Sequence, residues 1–364
     1  MKNFTMNYDK EFLRKHLGSI SQLGGLKRYR LVGGRADGVE AVDIKTGAGL
    51  SYTVLPGRGM DIAWTDYQST PISYMSATGV SAGAYYEAEG MEWLRNFFAG
   101  LLTTCGLSNV GGPCEDTHPV IGERKYGLHG RITNIPATNI CTKEAWVDGR
   151  YEMSVSGKMT DSIVHGEVLS LTRTITSVLG KNLIRIHDEI ENEGNVETPV
   201  QVLYHMNLGY PVLSENARLL VAPASVKGAS DLAQEEIDKR DTFHAPVLGT
   251  VERCYFYQTK TNADGKTCVA LINDELQLAV VFRYNPAQLP CLTEWKMLNE
   301  GVYVLGVEPG NSYPIGRVNA KEQGLLETLK VGEVKTIDLE VEVVAGIEEI
   351  EKVEREIQAL KEQK

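Results

Sequence analysis

Cysteine is scarce in this chain, and what there is lies scattered. Cys105, Cys114, Cys141, Cys254, Cys268 and Cys291 form no CxxC pair and no zinc-ligand spacing. That argues against a disulfide scaffold and a zinc module, and the expectation is reduced thiols. Only Cys105 and Cys114 lie close enough in sequence to pair in an oxidising compartment. Basic runs are also missing. With a formal net charge of −11 and a pI near 5.3, the chain offers no Lys/Arg patch for nucleic acid, and the acidity reads as a solubility feature. No apolar run reaches the roughly 18 residues that a membrane span needs. The first 18 residues mix Lys10, Glu11, Arg14 and Lys15 among apolar positions. They lack the apolar core of a secretory leader, so the expectation is a cytoplasmic protein. No repeat of 20–50 residues points to a propeller or solenoid, and no alternation of strand and helix points to a doubly wound fold.

What is present is period two. Ile337, Leu339, Val341 and Val343 alternate with Asp338, Glu340 and Glu342, the mark of a half-buried strand. Leu169, Leu171 and Ile175 keep the same beat, as do Ile184, Ile186 and Ile190, and Leu276 to Phe282. Turn-forming groups fall between such runs: Ala36-Asp37-Gly38, Lys45-Thr46-Gly47, Asn192 to Asn195, and Ala263-Asp264-Gly265. Apolar residues at 42% and charged residues at 23% are ordinary globular values. These features predict an all-β fold, a large antiparallel β-sandwich with a few short helices. Three stretches divide the expectation: a helical N-terminal segment over 1–24, a single sandwich catalytic domain over 25–345, and an amphipathic C-terminal helix over 346–364. In that helix Ile347, Ile350, Val353, Ile357 and Leu360 make a stripe that would dock on the body or on a partner, such as a second copy in a homodimer. Helical periodicity, weak elsewhere in the body of the chain, also marks 88–100, and 212–250 reads as a long excursion from the sandwich.

Several segments end apolar runs with groups that can do chemistry. In Tyr204-His205-Met206-Asn207-Leu208, His205 and Asn207 are two apart and share one face of an extended chain. A proton-transfer histidine beside a hydroxyl-binding amide is one reading; a core histidine satisfied by backbone is the other. In Val307-Glu308-Pro309, an apolar strand runs into a carboxylate, whose desolvation would lift its pKa into the range of a general base. A Glu facing water at a strand edge is the alternative. In Tyr126 to Arg131, glycines on both sides of Leu128-His129 let the backbone turn tightly around an imidazole, or make a plain surface turn. Arg58 lies in a Gly-flanked turn whose spacing fits no phosphate loop. Trp93 to Phe98 contains Arg95-Asn96 and leads into a stretch of small residues that would allow a ligand close to the backbone. Trp295-Lys296 sets an aromatic beside a cation, either a sugar platform or core packing. Cys254 has no partner spacing to support a nucleophile.

Taken in order, an HG turn (His129-Gly130), a mid-chain His with Asn-Leu (His205, Asn207, Leu208) and a late Glu-Pro (Glu308-Pro309) resemble the aldose 1-epimerase, or galactose mutarotase-like, superfamily. More narrowly they resemble its DUF4432 branch. The resemblance spans roughly residues 25–345 and implies the family's supersandwich fold and an isomerase acting on a free sugar. It makes His205 the acid, Glu308 the base and His129 a substrate ligand, with no metal, nucleotide or other cofactor required. The family's Arg- and Asn-bearing segment has Arg95-Asn96 as its nearest counterpart, and its substrate-binding Asp is replaced in place by Glu252. Arg58, Trp295, Lys296 and Arg317 look like features of the narrower branch, and so many basic groups near one pocket would suit a sugar acid. The acid and base are expected on opposite sides of one cleft. Epimerisation at another sugar carbon is the nearest rival. A non-catalytic carbohydrate-binding protein and a glycoside hydrolase or lyase pairing Glu308 with Glu252 or Glu294 are the others.

Overall fold

A strand residue and its neighbour point to opposite sides, so each alternating run has one face to bury. In the computed structural model, which describes residues 6–363, these runs form two antiparallel sheets packed face to face. The larger sheet has 12 strands. Its main path runs Gly25–Arg30, Glu40–Lys45, Leu50–Leu55, Asp61–Tyr67, Leu102–Leu107, Thr198–Gly209, Val302–Gly310, Cys291–Asn299, Arg253–Thr259, Pro223–Gly228. The second has eight strands, ordered Thr138–Val147, Arg150–Ser162, Val168–Val178, Leu183–Asn192, Val334–Ala345, Leu278–Tyr284, Thr267–Asn273, Ala217–Leu220.

The core lies between the sheets. Val42, Val54, Tyr204, Met206, Leu305 and Val307 of the larger sheet pack with Ile175, Ile186, Val280 and Leu339 of the smaller one. At its centre, Arg173 bridges Asp61 and Asp188 at 3.1 and 2.7 Å, all fully buried, and Tyr204 donates to Asp188 at 2.6 Å. Burying these charges is tolerated because each is paired and hydrogen-bonded.

Helices close the ends. Lys10–His16 is capped by Asp9, which accepts from the Phe12 amide at 2.9 Å. The C-terminal helix Ile347–Glu362 docks on the second sheet, burying Ile350, Val353, Ile357 and Leu360 against Ala270, Ile272 and Val281. Ile347 is not part of the buried stripe; it faces solvent. Arg283 to Glu356 and Arg218 to Glu354 tie the helix down. The expected excursion over 212–250 is shorter than the polar texture implies. Ala217–Leu220 and Pro223–Gly228 are strands of the two sheets, and the chain leaves them only from about 229 to 252, with one helix, Asp231–Glu235. The helical stretch expected over 88–100 is a short 3-10 turn, Glu92–Asn96.

Candidate active site

The face of the larger sheet turned away from the core carries the candidate chemistry. Because Tyr204, Met206, Leu305 and Val307 point inward, their neighbours His205, Asn207, Gly306 and Glu308 point outward. Thr293 pairs with Glu308 and Trp295 with Gly306, so both join that face. Nonlocal register thus brings the mid-chain imidazole and the late carboxylate together: His205 Nε2 lies 3.1 Å from Glu308 Oε1, at 6% and 2% residue exposure. The two do not face each other across a cleft as expected. They stand side by side on adjacent strands.

The surroundings are aromatic. The ring of His205 lies 5.2 Å from both Phe97 and Trp295, and 6.1 Å from His129, which in turn lies 4.9 Å from Trp93. Trp93 and Phe97 reach the site because the 3-10 turn places them one above the other, with centroids 4.8 Å apart. This cover removes water, with two consequences for ionisation. The His205 imidazole is pushed down to about 3, by burial first and by the neighbouring His129 second. Burial, and then the Glu252 carboxylate, pushes Glu308 well above the usual carboxylate range. Both shifts favour the uncharged form of each group. Among buried side-chain atoms here, His205 Nδ1, Asn207 Oδ1, Thr293 Oγ1, Glu308 Oε1 and Trp93 Nε1 have no well-directed protein partner. Polar atoms left without a partner in a dry core cost about 1–3 kcal/mol each.

His129 joins from a separate loop. Its backbone is left-handed, with φ of 55°, and is held there by its own amide bonding Gly111 O at 3.0 Å and by its carbonyl accepting from Gly106 N at 2.9 Å. Its Nδ1 accepts from Gly111 N at 3.3 Å. A Cβ on Gly130 would lie 2.3 Å from Gly106 O, so glycine is required beside the histidine. Burial lowers the His129 pKa to about 4, leaving a neutral ring at the pocket wall. At the rim, Trp295 Nε1 donates to the exposed Glu252 at 2.9 Å. Clefts of about 560 and 650 Å³ lie elsewhere, beside Trp64 and Phe243.

The basic residues expected at the pocket are not there. Arg58 is 0% exposed; its guanidinium donates to the carbonyls of Thr133 at 2.9 Å and Asn96 at 3.0 Å and to Ser81 O. It closes loops together and has no free donor face for a sugar. Lys296 alternates with Trp295 and so points to the core side, where Nζ donates to the carbonyls of Lys239, Arg240 and Thr242 at 2.7–3.2 Å. Arg317 donates to Asp116 at 2.8 Å and Ser108 O at 3.0 Å, pinning the loop behind His129. Arg95 points into solvent beside Glu92. Glu294 is likewise on the core face, taking a hydrogen bond from Tyr257 at 2.5 Å, so it cannot pair with Glu308 around a glycosidic bond. Trp93, Phe97 and Thr293 were missed as site residues. For Thr293 the signal was its spacing of two from Trp295. Among the described residues, no group of three or more His, Cys, Asp and Glu side chains is placed to hold a metal ion, and no helix is long and apolar enough to cross a membrane.

The fold recurs in solved structures. A candidate aldose 1-epimerase from Klebsiella pneumoniae subsp. pneumoniae superimposes with a TM-score of 0.85 at 25% identity, covering 92% of this chain and 87% of that one. A galactose mutarotase-like protein from Clostridium acetobutylicum gives 0.63 at 13% identity, over 89% of this chain and 100% of that one. The galactose 1-epimerase of Lactobacillus acidophilus NCFM gives 0.61 at 11%, with the same coverage; at these identities the last two speak to fold alone. No functionally curated protein matches the sequence. The model of the family described as a domain of unknown function, DUF4432, matches residues 36–343, and the chain belongs to that family.

Proposed function

We propose that this protein is an aldose 1-epimerase-like isomerase that interconverts the anomers of a free sugar. The observation that carries the reading is the buried contact of 3.1 Å between His205 Nε2 and Glu308 Oε1. The anomeric hydroxyl oxygen O1 and the ring oxygen O5 share one carbon. An acid and a base standing close together, as these two do, can therefore reach both oxygens.

The proton inventory fits the reaction. A neutral imidazole with a protonated carboxyl holds the same protons as an imidazolium with a carboxylate. Bound sugar hydroxyls that solvate the charged form draw the proton from Glu308 to His205. The Glu308 carboxylate then takes the O1 proton while the His205 imidazolium protonates O5, and the C1–O5 bond breaks. The open aldehyde turns about C1–C2. For closure, O5 attacks the other face of C1, His205 takes the O5 proton back, and Glu308 returns its proton to the carbonyl oxygen. Each well-placed acid or base is worth about 10²–10⁴-fold in rate. Trp295 offers a ring face, Glu252 a carboxylate, and Asn207 and Thr293 unpartnered acceptor oxygens for hydroxyls.

With Arg58, Lys296 and Arg317 committed elsewhere, the reason to expect a sugar acid falls away, and a neutral free aldose is the substrate class this site favours. Saturation-exchange NMR over neutral hexoses and pentoses tests the reading directly. Anomeric exchange above the buffer rate, abolished in His205→Asn, is the expected result. Binding without exchange would replace it with a sugar-binding role, and solvent deuterium appearing at a ring carbon would replace it with epimerisation elsewhere.

A further inference from the structure

We infer that a second saccharide-binding site, separate from the His205–Glu308 pair, lies on the outward face of the same sheet around Trp64. It rests on its own observations and not on the proposed isomerase activity. A cleft of about 560 Å³ opens there, within the roughly 300–1,000 Å³ of small-molecule pockets. The Trp64 strand is three strands from the Glu308 strand, or about 14 Å at the usual strand spacing, and the cleft extends from it away from that pair, across the Thr53 and Asp43 strands to the Lys27 strand at the sheet edge.

The local backbone is arranged to present the indole. Tyr52 pairs with Thr65 and Val54 with Ile62, so Ala63 and Trp64 together oppose the single residue Thr53. This is a β-bulge, and bulges re-aim side chains, often beside binding sites. Strict alternation would send Trp64 into the core beside Ile62. The extra residue keeps Ile62 and Thr65 inward and turns Ala63 and Trp64 outward. Ala63 is covered by Phe98 and Val39, whereas Trp64 stands 41% exposed over a flat, polar sheet surface.

That surface is a grid of donors and acceptors. Lys27, Asp43 and Thr53 lie in one cross-strand row, and Lys45, Ser51 and Asp66 in the next. Asp43, which lines the cleft, is held by Tyr29 Oη at 2.8 Å and Thr53 Oγ1 at 2.7 Å, both on Oδ1. A pyranose matches this chemistry: its C–H face stacks on an indole while its edge hydroxyls bond fixed carboxylates, ammoniums and hydroxyls. Opposite charges alternate across the grid, which favours a neutral polyhydroxy ligand over an anion or a cation.

The test uses the full chain labelled with 5-fluorotryptophan. Its four tryptophans give separate fluorine signals, Trp64 being assigned by its loss in Trp64→Phe. Titration with glucose, galactose, maltose and lactose is expected to move the Trp64 signal saturably, independently of the Trp93 and Trp295 signals. Asp66→Asn, which retains the indole, is expected to weaken that binding by about tenfold, and anomeric exchange at the other site is expected to be unchanged. A Trp64 signal unmoved by every saccharide overturns the inference. So does a Trp64→Ala protein whose mass by light scattering falls from that of an oligomer to that of a monomer, because the face would then be a subunit contact.

Discussion

Glu308→Gln separates chemistry from stability in a way that few substitutions do. Glutamine has nearly the shape of a protonated glutamate, and burial at 2% exposure beside Cys254 and His205 favours the protonated form of Glu308. The fold should therefore accept the change, while the base is lost. The expected activity loss is about 10²–10⁴-fold. Stability should move the opposite way. Burial raises the folded-state pKa of Glu308 well above its ordinary 4.5, so above that pH the folded protein holds a proton that the unfolded chain releases. Folding then weakens with rising pH by up to about 1.4 kcal/mol per unit until the folded pKa is reached. Glutamine carries no such penalty. The variant should therefore exceed wild type by a margin that grows as pH rises above 4.5, and at pH 4.5 the difference should shrink to packing changes. Anomeric exchange by NMR and urea denaturation between pH 4.5 and 8 measure the two effects. An exchange rate within tenfold of wild type would refute the catalytic role. A stability gain that shrinks as pH rises would refute the neutral resting state.

His205 behaves in the opposite sense: its folded pKa is depressed, so stability is complete above 6.5 and falls as pH drops toward about 3. His205→Asn should flatten that acid-side slope by up to about 1.4 kcal/mol per pH unit in urea titrations, with anomeric exchange abolished. Arg58→Met should strip the donors from three buried backbone carbonyls and lower stability by at least about 3 kcal/mol, seen as a drop in Tm. Because Arg58 touches no candidate site group, the exchange rate per folded molecule should survive. Ile357→Ala removes a side chain 1% exposed from beneath the C-terminal helix and should cost about 2–4 kcal/mol in urea denaturation, again without effect on exchange.

What could and could not be read from the chain follows from what is local. The strand Val334–Ala345 and the helix Ile347–Glu362 were legible because periodicity is a property of neighbours, and the inward face of each follows from its own residues. His205 and Glu308 were legible as polar groups ending apolar runs. Their contact was not, because it depends on the pairing of Thr198–Gly209 with Val302–Gly310, elements about a hundred residues apart. Trp295 and Lys296 show the limit most sharply: as neighbours in a strand they cannot share a face, and only the register with Gly306 says which of them meets the site. Arg58 was misread because a cationic side chain in a glycine turn looks the same whether it meets a ligand or a ring of carbonyls. Trp64 went unnoticed because alternation places it in the core, and the inserted residue that reverses this has no signature in its own segment. For His205, Glu308, Trp295 and Trp64 the missing information is a cross-strand partner. The outward face of the larger sheet is where such partners decide function, since the inward face is fixed by the apolar pattern alone. The proposed chemistry of this protein therefore collects on the face that periodicity constrains least.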